Sequence, residues 1–205
     1  GVCADRGDGA NFASSGCDME TGPARMVLEG GAFTVPADIP LVIDGREGKL
    51  GGNLAQIGIN PITIDPTNTW VYFAPMTATS MYRVRSSDLR DETLSEEALA
   101  AKVERYGDKV ISDGSTVDAD GNVYITAMTD NAIGVTKPDG NYEVLFQSDE
   151  DLPWPDGFSM GVDGVGNAAS NGRHRAPVLN GGEETSRGTY RSVRFPALGT
   201  AGGGR

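Results

Sequence analysis

The sequence is poor in basic residues, histidine and cysteine. Among its 205 residues there are one His and two Cys, and 17 Lys plus Arg stand against 29 Asp plus Glu, so the net charge is −12. A chain this acidic repels nucleic acid and anionic membrane surfaces. No apolar run approaches the ~20 residues of a membrane-spanning helix. We therefore expect no nucleic-acid partner and no membrane partner.

Common catalytic motifs are also missing. The sequence contains no G-x-S-x-G, no H-E-x-x-H, no phosphate-binding loop and no paired C-x-x-C. Each of these motifs places a nucleophile, a metal ligand or a phosphate-binding backbone at a fixed spacing. Serine hydrolase, zinc protease and nucleotidase chemistry therefore lack support.

The two cysteines, Cys3 and Cys17, leave two interpretations open. They could form a disulfide, which fits a secreted or periplasmic protein, or remain free thiols. Gly1 stands where an initiator Met would be, and no signal peptide is present. We therefore expect a processed, trimmed or fragmentary chain.

Turn residues are abundant, with 29 Gly and 11 Pro. Between residues 112 and 147 they separate four short strands, with Asp-Gly turns at Asp120-Gly121 and Asp139-Gly140. Four strands joined by tight turns form a β-meander, which is the unit of a propeller blade.

Parts of this meander recur along the chain. Asn60, Asp113 and Asp156 each open a short strand and are followed by Pro or Gly, at spacings expected of propeller repeats. We predict an all-β propeller of about three to four blades. We expect it to consist of the end of a preceding blade and a long connection (1–54), a blade with a helical insertion (57–110), two more blades (111–150 and 151–196) and a flexible tail (197–205).

Three local features add detail to this division. Residues 11–18 and 24–29 are expected to be the last two strands of the preceding blade, and residues 39–45 a short edge strand in the long connection. The one segment with helical periodicity is residues 95–106. There Ser95 caps the start, and Leu99, Val103 and Tyr106 form one face. This helix is expected to replace or decorate an outer strand.

Several segments resemble the yellow and major royal jelly protein family, including its bacterial relatives. They occur in family order between about residues 24 and 196: Gly58–Asp65, Trp70–Met76, Thr79–Val84, Asp88–Asp91, Gly107–Lys109, Ser112–Gly114, Asn131–Ile133, Leu152–Gly157, His174–Arg175 and Asn180–Glu183. The resemblance implies a six-bladed β-propeller, usually secreted, of which this chain is the C-terminal part. The remaining blades, or another chain, would complete the fold. One departure is residues 165–172, which lack the aromatic residues expected of a strand.

The resemblance implies several functions. Family members include dopachrome-converting proteins and non-catalytic nutritive or ligand-binding proteins. More distantly, the chain is similar to gluconolactonase and senescence-marker propellers, which hold a divalent metal on the axis. Asn60 and Asp113 match two of those ligands and would suit Ca²⁺ or Mg²⁺. The implied activity is metal-assisted lactone hydrolysis or dopachrome-type isomerisation, and the alternative is a non-catalytic secreted small-ligand-binding or structural protein.

Five residues are candidates for a small-molecule site. Asp113 is the candidate catalytic residue and, with Asn60, the candidate metal ligand; as a ligand-binding set we name Asn60, Asp113, Trp154, Asp156 and His174. Each has an ordinary structural interpretation as well. Asp113, Asn60 and Asp156 could simply cap turns, Trp154 could be a core residue, and His174 could be a packing or surface residue. If the strands are equivalent blade strands, the first three side chains should converge at one end of the axis.

Overall fold

The computed structural model describes residues 2–5, 13–17, 24–161, 163–186 and 190–199. These residues form four antiparallel sheets that follow one another along the chain. The first sheet contains β1 (Val2–Asp5), β2 (Ala13–Cys17) and β3 (Ala24–Val27). It has three strands, one more than the two expected from the sequence. The side chains of Cys3 and Cys17 lie outside the described part, so the disulfide stays a prediction.

Two small hairpins follow in the long connection. They are β4 (Val42–Ile43) with β5 (Arg46–Glu47), and β6 (Lys49–Leu50) with β7 (Asn53–Leu54). The first hairpin turns through Asp44 and Gly45, with φ of 52° and 72°. Two successive positive φ values suit the tight turn that joins antiparallel strands.

The second and third sheets have four strands each. The second contains β8 (Ile59–Ile64), β9 (Trp70–Pro75), β10 (Ser80–Arg85) and β11 (Glu104–Asp108). Between β10 and β11 lie α1 (Ser86–Arg90) and α2 (Glu96–Ala100). The third contains β12 (Ser112–Val117), β13 (Val123–Ala127), β14 (Ala132–Thr136) and β15 (Tyr142–Gln147), with a 3₁₀ turn at Met128–Asp130.

The fourth sheet contains β16 (Pro155–Met160), β17 (Val165–Ser170) and β18 (Arg191–Pro196), with a 3₁₀ turn at Arg173–Arg175 between the last two. Strand β17 forms although residues 165–172 lack the aromatic residues expected of a strand. Small residues are required there because a Cβ at Gly166 would lie 2.3 Å from the Phe195 ring of β18. The missing aromatic side chain is therefore replaced by one from the neighbouring strand.

The first strand of each sheet lies beside the first strand of the next. Strand β12 lies between β8 and β16, and β1 lies beside β8. Sheets that meet along their first strands and pack face to face are the blades of a β-propeller, so the chain forms part of one. Hydrophobic layers fill the space between blades. One, between the second and third sheets, contains Tyr72, Ala74, Met81, Val117, Val123 and Ile125.

The predicted helix over residues 95–106 is shorter than expected. Ser95 does cap it, accepting a hydrogen bond from the Ala98 amide at 3.2 Å, but the helix ends at Ala100. Val103 and Tyr106 do not continue the helical face, because residues 104–108 pair with β10 as the fourth strand. The helix therefore lies in a connection and does not replace the outer strand. The ladder hydrogen bonds offered by β10 outweigh the local helical preference.

Candidate functional site

Asn60 and Asp113 meet where two inner strands begin. The Asn60 amide Nδ2 donates to the Asp113 backbone oxygen at 2.9 Å and also to Oδ1 of its carboxylate. Asp113 is 6% exposed, while Asn60 is half-buried. The two residues lie on neighbouring sheets, so this contact joins β8 to β12.

Trp154 approaches the same carboxylate from the fourth sheet. Its indole Nε1–H donates to Asp113 Oδ2 at 2.7 Å, and the residue is 1% exposed. Trp154 has φ of 55°, an uncommon left-handed conformation just before β16 begins. Both carboxylate oxygens of Asp113 therefore accept hydrogen bonds, one from each neighbouring sheet. This is the arrangement we call the inner-strand site: Asn60, Asp113 and Trp154.

The local shape of β12 holds Asp113 in place. The pairing of β12 with β13 shifts register between Ser112 and Ser115. In this irregular stretch, the Thr126 hydroxyl oxygen accepts from the backbone amides of Asp113 at 3.0 Å and Gly114 at 2.8 Å. Two backbone donors that the ladder leaves unused are thus satisfied by one side chain. These two hydrogen bonds hold the backbone around Asp113 in its irregular conformation.

Asp156 lies close to this site through its backbone. A Cβ at Gly114 would lie 1.8 Å from the Asp156 carbonyl oxygen. Strands β12 and β16 are therefore so close at this point that only glycine fits. The Asp156 carboxylate, however, accepts from Asn171 Nδ2 at 2.7 Å, just after β17. The hydrogen bonds of the Asp113 carboxylate therefore come from Asn60 and Trp154, while the Asp156 side chain bonds within its own part of the chain.

His174 belongs to a second polar group beside Trp154. Its ring is parallel to the indole, with an interplanar angle of 1° and 6.1 Å between ring centroids. Its Nε2 lies 2.9 Å from Oδ2 of Asp44, in the turn between β4 and β5, and Arg175 Nη2 donates to the same oxygen at 3.0 Å. Trp154 therefore contacts Asp113 through its nitrogen and His174 through its ring face.

Two pKa values are shifted in this second group. Burial lowers the pKa of His174 below its ordinary value, and this outweighs the opposing effect of Asp44. Burial by itself would raise the pKa of Asp44, but hydrogen bonds from His174, Asn131 and Arg175 lower it overall. At neutral pH the pair is therefore a carboxylate and an uncharged imidazole.

Lys109 is a buried residue that our sequence reasoning did not select as a site candidate. Its Nζ donates to the backbone oxygens of Met76 at 3.2 Å and Val110 at 2.9 Å and to the Ser112 hydroxyl at 3.2 Å. Burial lowers the pKa of Lys109 to about 7. A lysine directly before the apolar pair Val110 and Ile111 was the available signal. Asp44 was also missed, although Asp44-Gly45 is a recognisable turn.

The inner-strand site offers few ligands to Ca²⁺ or Mg²⁺. Ca²⁺ binds six or more oxygen ligands, and Mg²⁺ binds its oxygen ligands in octahedral geometry. The Asn60 amide nitrogen faces the Asp113 carboxylate, so a cation shared by the two would require this amide to turn over. Within the described ranges, no three His, Cys, Asp or Glu side chains group closely enough to hold a metal. The described residues therefore do not form a metal site by themselves.

Comparison with known protein families gives a match over most of the chain. The family model described as Major royal jelly protein matches residues 32–171. Among curated proteins, none matches the chain. None of the helices in the described ranges has the length and apolar character needed to cross a membrane.

Solved structures show similarity in fold. A chain of a nidogen/laminin complex has a TM-score of 0.52 at 14% identity, with 94% of this chain and 61% of that chain covered. A gluconolactonase from Xanthomonas campestris has a TM-score of 0.47 at 12% identity, covering 78% and 42%. A calcium-binding protein, regucalcin, from Agrobacterium tumefaciens has a TM-score of 0.47 at 16% identity, covering 97% and 63%. The chain spans less than two thirds of each of these structures.

Proposed function

Because the chain belongs to the major royal jelly protein family, we propose that it forms part of a six-bladed β-propeller that binds a small molecule on the axis. In this proposal the inner-strand site is the recognition site, and Asp113 is the charged group that contacts the ligand. The remaining blades, or another chain, complete the ring. A secreted or periplasmic location is part of the same proposal and rests on the family and on the predicted disulfide.

One observation carries the proposal. A single carboxylate, on Asp113, is contacted by Asn60 and Trp154 from the two neighbouring sheets. Turn capping does not require this, because a capping carboxylate bonds backbone amides a few residues away. In this proposal that carboxylate lies toward the axis, where a propeller presents its ligand site.

The charge of the chain favours a cationic ligand. The net charge of −12 raises the local concentration of small cations around the protein. A carboxylate with low exposure strengthens a charge-assisted hydrogen bond from an ammonium group. Trp154, which is 1% exposed, lies beside this carboxylate and donates to it. We therefore propose a small aromatic amine as the ligand class.

A catalytic version uses the same carboxylate as a general base. In lactone hydrolysis, Asp113 would accept a proton from water as that water adds to the lactone carbonyl carbon. The ring C–O bond then breaks, and the ring oxygen leaves with that proton as a hydroxyl group. In a dopachrome-type isomerisation, Asp113 would move a proton from carbon to oxygen without any net change in atoms. Both reactions need substrate turnover, whereas the binding proposal does not.

We propose Ca²⁺ or Mg²⁺ as a further ligand of the inner-strand site. Asp113 and the Asn60 amide oxygen would be the contributing groups after the amide turns over, together with oxygen ligands from outside the described residues. A cation there would lower the pKa of any group beside it and polarise a carbonyl oxygen. Binding of either ion to the folded state alone would raise the melting temperature.

The proposal is tested by isothermal titration of the protein with three probes: 2-phenylethylamine, glucono-δ-lactone and Ca²⁺. We expect the amine to bind and the Asp113→Asn variant to lose at least about tenfold in affinity, because the ion pair is lost. The matched control is Asp118→Asn, which changes a second buried carboxylate at the other end of β12. Equal affinity in wild type and Asp113→Asn would refute the proposed role of Asp113, and release of the hydroxy acid from the lactone would select the hydrolase version.

A further inference from the structure

Trp154 contacts Asp113 from an uncommon backbone conformation. Its φ is 55°, in a region that bulky residues seldom adopt and that persists only where the surrounding structure determines it. The loop after β17 supplies part of this support. The Asn171 amide donates to the Trp154 carbonyl oxygen at 3.2 Å. The Gly172 amide donates to the Pro153 carbonyl oxygen at 3.0 Å. These bonds hold the backbone but not the indole ring, which turns about its own side-chain bonds.

His174, from the same loop, holds the ring. Its imidazole is parallel to the indole of Trp154, with 6.1 Å between ring centroids, a separation typical of offset aromatic pairs. Its Nε2 lies 2.9 Å from Oδ2 of Asp44. Arg175 and Asn131 also donate to this carboxylate, at 3.0 and 3.3 Å. Because an ionised carboxylate only accepts hydrogen bonds, the uncharged imidazole donates its Nε2–H to Asp44. The imidazole is thus held at its edge while its face lies against the indole.

We propose that His174 is a positioning residue for the inner-strand site: held by Asp44, its uncharged ring keeps the Trp154 indole N–H directed at Asp113. Two hydrogen bonds and one pair of parallel rings then connect the turn between β4 and β5 to strand β12. The effect on a ligand rests on the function proposed for Asp113, because a carboxylate already held in one orientation binds an amine at a lower ordering cost. The positioning of the indole does not rest on that function.

Protonation of His174 would end this positioning. The added proton would lie on Nδ1, which is buried and has no partner among the described residues. Burial keeps the pKa of His174 below its ordinary value of 6.5. The charges of Arg175 and Arg46 also disfavour protonation, and Asp44 favours it. Glu47, an exposed carboxylate, lines the same small space as the ring. Since a buried unpaired donor is costly, we expect the charged ring to turn toward water and release the indole as the pH falls through the pKa.

The first experiment follows both rings in one NMR titration from about pH 7.5 to about pH 4.5. Ring C–H signals of the single histidine report its protonation, and Trp70→Phe assigns the two indole N–H signals. We expect the water exchange of the Trp154 proton, relative to that of Trp70, to rise about fivefold as His174 titrates, as for the loss of one aromatic pair. A Trp154 proton that stays protected, or a His174 pKa of 6.5 or above, would overturn the proposal.

Two substitutions of opposite sign test the link between the rings. Asp44→Asn removes the anion that favours the imidazolium, so the midpoints of His174 titration and Trp154 exchange should both fall. Arg46→Gln removes a cation that disfavours it, so both midpoints should rise. Arg46 is exposed, which makes it a tolerant position. Two midpoints that do not move together would contradict the proposal.

Ring variants and the amine separate this proposal from the function proposed for Asp113. His174→Phe keeps a flat ring that cannot be protonated, so the Trp154 proton should stay protected in acid, whereas His174→Ala should expose it at every pH. Affinity for 2-phenylethylamine should fall about fivefold from pH 7 to pH 5 in wild type, and less in His174→Phe. Equal Trp154 protection in His174→Ala and wild type at pH 7, or an equal fall in affinity in His174→Phe, would refute positioning.

An amine that binds at neither pH would refute the function proposed for Asp113, and the titration of the two rings would still decide the role of His174. If the ring variants do not fold, Asp44→Asn and Arg46→Gln decide it, because both retain the histidine.

Discussion

The two ends of strand β12 each hold a buried aspartate, and the two differ in where their partners come from. Asp118, 1% exposed, accepts from the backbone amides of Asp120 at 3.0 Å and Asn122 at 2.9 Å, and from the Tyr124 hydroxyl at 2.8 Å. All of these partners belong to its own hairpin. Asp113, 6% exposed, accepts from Asn60 and Trp154, which belong to two other sheets.

The difference shows that burial alone does not identify a functional carboxylate. The Asp118 carboxylate completes a local turn and is explained by the folding of one hairpin. The Asp113 carboxylate receives its partners only after three sheets have assembled. A carboxylate that depends on assembly in this way is the one we propose as the ligand contact. We expect the two ends to respond differently to mutation.

The largest expected effect concerns Trp154, which connects the inner-strand site to His174. Trp154→Ala removes a 1% exposed indole and one donor to Asp113, and we expect a loss of about 4 kcal/mol in the free energy of unfolding. Trp154→Phe retains most of the packing and should lose about 2 kcal/mol, largely from the missing N–H donor. Urea denaturation measures both. Equal losses in the two variants would show that Trp154 stabilises through its nitrogen alone.

The second effect tests how closely the sheets approach at the Asp113 end. Gly114→Ala places a Cβ 1.8 Å from a backbone oxygen of β16, and we expect a loss of about 3 kcal/mol as the strands separate. Gly157→Ala is the matched control on β16, because its Cβ would meet no atom within 4 Å. Denaturation midpoints should fall sharply for the first variant and little for the second. A stable Gly114→Ala protein would contradict the close packing of β12 and β16.

The third effect compares the two aspartates themselves. In Asp118→Asn the new amide oxygen can keep the two backbone amides that donate to Oδ1, but the amide nitrogen then faces the Asn122 side-chain amide and the Tyr124 hydroxyl, which donate to Oδ2. We expect a loss of about 2 kcal/mol. In Asp113→Asn the neighbouring Asn60 can turn its amide and offer an oxygen, so the loss should be about 1 kcal/mol. Thermal or chemical denaturation gives the ranking. The opposite ranking would mean that the Asp113 end is the more important one for stability.

The last effect is a pH dependence at the Asp113 end. Burial lowers the pKa of Lys109 to about 7 in the folded protein from an ordinary value of 10.5. Between these values the unfolded chain holds a proton that the folded chain lacks, so raising the pH favours folding. Below pH 7 the cost of burying the ammonium is fully present. We expect unfolding free energy to rise by at most about 1.4 kcal/mol per pH unit between pH 7 and 9 from this group.

The control for this pH dependence is a second lysine substitution. Lys109→Met should remove the rise in stability between pH 7 and 9. Lys102→Met, which removes a lysine whose side chain is 43% exposed, should retain it. The measurement is urea denaturation at each pH. An unchanged slope in Lys109→Met would show that the buried lysine is not its source.

The sequence predicted the fold better than the site, for a physical reason. Strand periodicity, Asp-Gly turns and the Ser95 cap depend on neighbours in the chain, and they identified the sheets of the propeller. The short helix was misjudged because a strand partner, β10, overrode a local preference. Asn60, Asp113 and Trp154 could be selected as candidates from the sequence. Their hydrogen bonds, and the contact between Asp44 and His174, join residues far apart in sequence and required the assembled structure.

The most direct test of the central claim follows the indole N–H of Trp154, which donates to Asp113. The chain has two tryptophans, so a ¹⁵N-labelled protein shows two indole signals, and the Trp70→Phe variant assigns them. We predict that 2-phenylethylamine shifts the Trp154 signal and leaves the Trp70 signal in place, and that Asp113→Asn abolishes the shift. An unmoved Trp154 signal at saturating amine, or the same shift in Asp113→Asn, would contradict ligand binding at the inner-strand site.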